Sequence, residues 1–160
     1  MNSPEHNAFP GIASSAAMRT VLAEAARYAV APRPILIRGE RGTGKELLAR
    51  HIHALGPRAG GGFIPVNCAA FNDELLNTEF FGHEKGAFTG AAGRHIGKLE
   101  RAHGGTLFLD EVTAMSAAFQ DRILRVVEYQ EFERVGGAES IRVDVRILSA
   151  TNADMEELLR

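Results

Sequence analysis

The chain has 160 residues, of which 45% are hydrophobic and 24% charged; this is the composition of one soluble globular domain and excludes a disordered or fibrous chain. Eighteen Lys and Arg against 20 Asp and Glu leave a formal net charge of -2, so the chain as a whole carries no basic field for nucleic acid, and any DNA contact is expected elsewhere. The lone cysteine, Cys68, has no partner for an internal disulfide, and no apolar run is as long as a membrane span or follows a basic signal-like start, which predicts a cytoplasmic protein.

Residues 1–10 read as a loose N-terminal end. Met18, Val21, Leu22, Ala25 and Ala29 recur at helical spacing and predict a helix over 16–30, stopped by Pro32 and Pro34. A strand over 34–38 then runs into Gly39, Glu40, Arg41, Gly42, Thr43, Gly44, Lys45 and Glu46. Taken alone, this is a glycine-rich turn with a surface lysine. Between a strand and a helix it is a Walker A loop, whose backbone N–H groups and following helix N-terminus face phosphate oxygens while Lys45 neutralises the terminal phosphates of ATP. Glu46 departs from the Ser or Thr that ordinarily follows the lysine to hold magnesium.

Leu47, Leu48, Ile52 and Leu55 predict a helix over 46–55, closed by Gly56-Pro57 and a loop over 58–62. His51 and His53, two apart on this helix, point to different faces and cannot share a metal. Phe63–Asn67 is a second strand, ending at Asn67. Thr106–Asp110 is a short apolar run, a fully buried third strand that ends in Asp110 and Glu111. These acids read either as the acidic first turn of a helix or as a Walker B pair. In the second reading Asp110 holds magnesium, directly or through water, and Glu111 orients or deprotonates the attacking water. A helix over 119–129 follows, then a fourth strand over 141–149 that alternates Ile141, Val143, Val145 and Ile147 with charged residues, and finally Thr151 and Asn152. Polar residues after strands are often turn formers or caps. Four of them at the carboxyl ends of parallel strands, where open α/β sheets bind ligands, outline a nucleotide site.

With Gly86, Ala87, Phe88, Thr89, Gly90 and Ala91 in view, the sequence resembles the central AAA+ domain of the sigma-54-dependent transcriptional activators, the bacterial enhancer-binding proteins. Phe81-Gly82-His83-Glu84-Lys85, Asn67-Cys68-Ala69-Ala70 and Glu133-Arg134-Val135-Gly136-Gly137 match as well, so the likeness covers 11–160. It implies the N-terminal α/β part of an AAA+ P-loop NTPase. That part is a three-layer αβα sandwich with a parallel sheet, ending at Arg160 before the fifth strand, the helical lid, the arginine fingers and the DNA-binding domain. It also implies ATP and Mg²⁺ as cofactors, a homo-hexameric ring whose hydrolysis remodels sigma-54 RNA polymerase, and a loop over 86–91 that contacts sigma-54. Asn67 becomes a switch partner of Glu111, Thr151 and Asn152 become sensor I, and 134–140 becomes a second surface loop. The same family commonly carries Glu at the position of Glu46, and Phe80 stands where leucine is more usual. Phe88, apolar among small residues, reads on its own either as a buried turn or as an exposed anchor for a partner; the family likeness favours the anchor. The expected fragment binds nucleotide weakly and turns it over slowly. Its rivals are a non-catalytic nucleotide- or polymerase-binding module and an ATPase of another AAA+ branch.

Overall fold

Helix and strand alternate through residues 14–153, which the computed structural model describes. In order these are α1 (Ala16–Ala29), β1 (Ile35–Arg38), α2 (Lys45–Leu55), β2 (Phe63–Asn67), α3 (Asp73–Phe81), α4 (Lys98–Arg101), β3 (Thr106–Asp110), α5 (Ala117–Tyr129), β4 (Glu131–Phe132), β5 (Ile141–Arg142) and β6 (Arg146–Thr151). Four strands form one parallel sheet in the order β1-β6-β3-β2. The termini, including the end expected over 1–10 and Arg160, lie outside the described residues. Among those described, no helix is long and apolar enough to cross a membrane.

Period-two alternation divides the sheet's side chains between two helical layers. Leu107 and Leu109 join one core with Leu76, Phe80, Phe119 and Ile147, beneath α3 and α5. Phe108 and Leu148, cross-strand neighbours, join the other with Ala25, Ala49 and Ile52 of α1 and α2. With both faces covered, β3 is apolar on both sides, as a central parallel strand must be. The three-layer α/β architecture read from the sequence is therefore present. Phe80 is fully buried, edge-on to Phe81 at 4.9 Å and to Phe119 at 5.4 Å, so an aromatic ring occupies the position where leucine is more usual.

The expected single strand over 141–149 is instead two separate strands. Ile141 and Arg142 pair antiparallel with Phe132 and Glu131 in a small second sheet, and the core strand starts only at Arg146. Between them the backbone bonds to groups outside either ladder: Val143 N–H donates to Gln130 O (2.9 Å), Val145 N–H to Gln130 Oε1 (2.8 Å) and Asp144 N–H to His103 Nδ1 (3.0 Å). Val143 and Val145 are buried, so the alternation reports burial correctly, but burial alone does not require one continuous strand. α3 and α4 were not among the expected elements. α3 carries a side-chain N-cap, with Asn72 Oδ1 accepting from Leu75 N–H at 2.9 Å.

Candidate nucleotide-binding site

The turn from β1 into α2 is held open by two residues in the left-handed region, Gly42 (φ +80°) and Gly44 (φ +87°), where other residues are strained. A Cβ at Gly39 would approach Thr43 Oγ1 to 2.9 Å. Thr43 Oγ1 donates to Glu40 O (2.7 Å), and Lys45 Nζ donates to Gly39 O (2.9 Å) and Glu40 O (2.7 Å). The loop is thereby folded around its own ammonium group, which lies on a side chain only 9% exposed.

Helices α1, α3 and α5 begin with Ser15, Asn72 and Ser116, whose side chains accept from first-turn amides. α2 begins at Gly44 without a side-chain cap, so its first-turn N–H groups are left for another acceptor. Left-handed glycines, a buried lysine and an uncapped helix start fit a phosphate chain. Arg41 is exposed at the rim of this turn.

Of the other strand ends, that of β6 lies directly beside this loop, followed across the sheet by those of β3 and β2. Gly39 N–H donates to Thr151 O at 3.2 Å, Arg38 neighbours Thr151 across the sheet, and Asn67 neighbours Asp110. Thr151 is fully buried and its Oγ1 accepts from Ala153 N–H (3.0 Å), while Asn152 is exposed. Asp110 Oδ1 accepts from Glu111 N–H (3.0 Å), and Glu111 stands in the left-handed region (φ 57°, ψ 52°), a conformation that a non-glycine residue holds only when its surroundings impose it. Asp110 and Glu111 are both half-buried. Asn67 Oδ1 accepts from Ala69 N–H at 3.0 Å, so in this state it closes its own turn.

Cys68, buried next to Asn67, donates its N–H to the Asp110 carbonyl (3.0 Å). Its thiol is pushed up to about 12 by burial and, secondarily, by the Asp110 carboxylate. A raised thiol keeps its proton in the folded state where the unfolded chain loses it. Its contribution to stability is therefore complete below about pH 8.5 and is lost as pH rises from there toward 12. Urea unfolding from pH 8 to 10 is expected to show a decline that Cys68→Ala flattens; parallel slopes for the two proteins would contradict this account.

The segment over 86–91 is a tight closed loop between α3 and α4. Gly86 N–H donates to Ala91 O (2.9 Å) and Ala91 N–H to Phe88 O (3.0 Å), with Gly86 (φ +80°) and Gly90 (φ +100°) both left-handed. Ala87 is half-buried, Thr89 is exposed and Ala91 is buried. Phe88 is 39% exposed, its ring edge-on to His83 at 4.9 Å. The ring is accordingly neither core nor free. Its base is set by backbone bonds among three segments: His83 with His95, Glu84 N–H to Val135 O, and Val135 N–H to Gly82 O.

The expected surface loop over 134–140 begins with two residues that are tied into the fold, Arg134 and Val135, the latter bridged to His83. Arg134, read as part of a surface loop, is 8% exposed. Its Nη1 donates to Glu84 Oε1 (2.7 Å), and its Nε and Nη2 donate to the two oxygens of Glu100 (2.8 Å each). Two carboxylates hold this guanidinium protonated far above even its usual range. Gly136 rests on the first loop so closely that a Cβ there would meet Ala87 Cβ at 2.6 Å. No local pattern flags this cluster, because Arg134 lies 50 residues from Glu84 and 34 from Glu100.

A protein-family model described as the Sigma-54 interaction domain matches residues 12–160. The chain is 57% identical over 146 residues to the Nif-specific regulatory protein of Herbaspirillum seropedicae, an alignment that takes in 91% of this chain and 27% of that protein. It is 53% identical over 139 residues to the Psp operon transcriptional activator of Escherichia coli (strain K12), 87% of this chain and 43% of that one. A crystal structure of NtrX from Brucella abortus in complex with ATP superposes with a TM-score of 0.83 at 42% identity, over 96% of this chain and 34% of the other. The chain thus spans well under half the length of these relatives.

Proposed function

We propose, because this chain belongs to the Sigma-54 interaction domain family, that it is the ATP-binding part of a sigma-54-dependent transcription activator. In the complete protein, ATP hydrolysis within a homo-hexameric ring remodels sigma-54 RNA polymerase in the cytoplasm, and DNA is contacted through another domain. The observation that carries the reading is the uncapped start of α2, behind two left-handed glycines and a buried Lys45, in a chain 42% identical to a protein crystallised with ATP.

Gly39 to Gly44 present backbone amides to the phosphates, and Lys45 exchanges its two carbonyl partners for phosphate oxygens. Magnesium, when bound, would supply positive charge that neutralises the terminal phosphates; Asp110 is the acid that would hold it. Glu111 accepts the proton of the attacking water, or orients that water, from a backbone position already imposed on it. Asn67 gives up its bond to Ala69 to partner Glu111, and Thr151 and Asn152 sense the terminal phosphate from the neighbouring strand end. A ring ATPase completes each site with an arginine from the next subunit, an addition worth about 10³ to 10⁵ in rate. Hydrolysis by this chain alone is therefore expected to be slow.

In the complete protein, Glu111→Gln should bind ATP and fail to hydrolyse it, whereas Asp110→Ala should also lose the magnesium dependence of binding. Calorimetry with and without magnesium, paired with steady-state phosphate release, separates the two; indistinguishable variants would remove the division of roles. The loop over 86–91 is the surface that meets sigma-54, with Phe88 as anchor. Phe88→Ala in the complete protein should retain most ATPase activity yet fail to capture sigma-54 in a pull-down. Loss of cooperative unfolding in that variant would mark Phe88 as a packing residue instead.

A further inference from the structure

A carboxylate follows the P-loop lysine in this chain, and it is drawn along the helix by an arginine. Glu46 Oε1 accepts from Arg50 Nε at 3.0 Å and from Nη2 at 2.8 Å, one turn further along α2. The Arg50 guanidinium lies over the Phe63 ring, 4.5 Å from its centroid. That ring packs on His53 and stacks with Phe108 of the central strand, 5.5 and 5.9 Å away. The arginine therefore sits on an aromatic surface tied to the sheet, although both members of the pair are about half exposed.

We propose that Arg50 is a positioning residue for nucleotide binding, holding the Glu46 carboxylate along α2 and cancelling its charge so that the helix start remains attractive to a triphosphate. The proposal rests on residues 39–45 binding the ATP phosphates. Uncapped first-turn amides and Lys45 attract phosphate oxygens, and an unpaired carboxylate in the same turn opposes both. A serine or threonine there carries no charge and needs no such partner. Glu46 does, and the partner is supplied at i+4, where a helix brings side chains together. Held this way, the Oε1 oxygen of Glu46 is engaged by Arg50.

ATP affinity of the 160-residue chain, measured by calorimetry at low and high salt, tests this with Arg50→Met, Arg50→Lys, Glu46→Gln and the double variant Glu46→Gln/Arg50→Met. Arg50→Met is expected to weaken binding about fivefold at low salt, the scale of one uncancelled like charge within a helical turn in a solvent-like dielectric. The loss should shrink below about twofold in ~0.5 M salt, because an exposed charge is screened. Arg50→Lys should stay within about twofold of the parent, and the double variant should recover to a similar level, since removing the carboxylate removes the need for its partner. A merely structural arginine would give a loss that persists in the Glu46→Gln background and ignores salt; that pattern, or unchanged affinity in Arg50→Met, overturns the proposal. Failure of the unsubstituted chain to bind ATP at all would instead bring down the reading of the P-loop, and the proposal with it.

Discussion

Lys45→Ala is expected to weaken ATP binding by at least about tenfold, because a charge-assisted contact to phosphate contributes roughly 1.5 to 3 kcal/mol and 1.4 kcal/mol is one decade. Lys45 holds the loop together without nucleotide by donating to Gly39 O and Glu40 O. Its removal therefore leaves two carbonyls to find water and loosens the turn as well as deleting the charge. Lys45→Met preserves the aliphatic stem but neither donates to those carbonyls nor carries the charge. It should lose affinity nearly as far as Lys45→Ala, since phosphate recognition needs the ammonium. Calorimetric affinity equal to that of the parent chain would refute the assignment of the site.

Arg134→Met is expected to cost about 3–5 kcal/mol of unfolding free energy, the range for removing one member of a buried ion pair. The guanidinium is 8% exposed and forked onto Glu100, with Glu84 on its remaining nitrogen. Truncation leaves the partly buried Glu84 and Glu100 carboxylates without their shared cation. Arg134→Lys, which retains charge but not the fork, should recover only part of the loss. Because Glu84 lies two residues before Gly86 and Arg134 two residues before Gly136, the same cluster fixes where both segments leave the fold. Amide exchange should therefore quicken at Glu84, Ala87 and Val135 in Arg134→Met, whose N–H groups bond within this corner. A loss below about 1 kcal/mol in urea titration would show that water already screens the cluster.

The strands Phe63–Asn67 and Thr106–Asp110 were legible residue for residue, and the ends of α1, α2 and α5 to within two residues, because local apolar period and Gly or Pro stops act over a few residues. The glycine-rich loop and the acid pair stand out in the sequence for a similar reason: each is contiguous, and each stands directly after a strand. The strand over 141–149 was read as one element because alternation reports which residues are buried but not which neighbour their backbone bonds to. There, Gln130 and His103 took up the amides that a sheet partner would otherwise have held.

Sequence alone thus determined the α/β class, the four strands' approximate places and the residues gathered at their carboxyl ends. Tertiary structure decided the order β1-β6-β3-β2, the burial of Arg134 between Glu84 and Glu100, the Ala69 bond that holds Asn67, and the seat of Arg50 on Phe63. Most of these join groups that lie far apart along the chain. Which distant partners meet is set by how two helical layers close over one sheet, and a local period in the sequence carries no record of that closure.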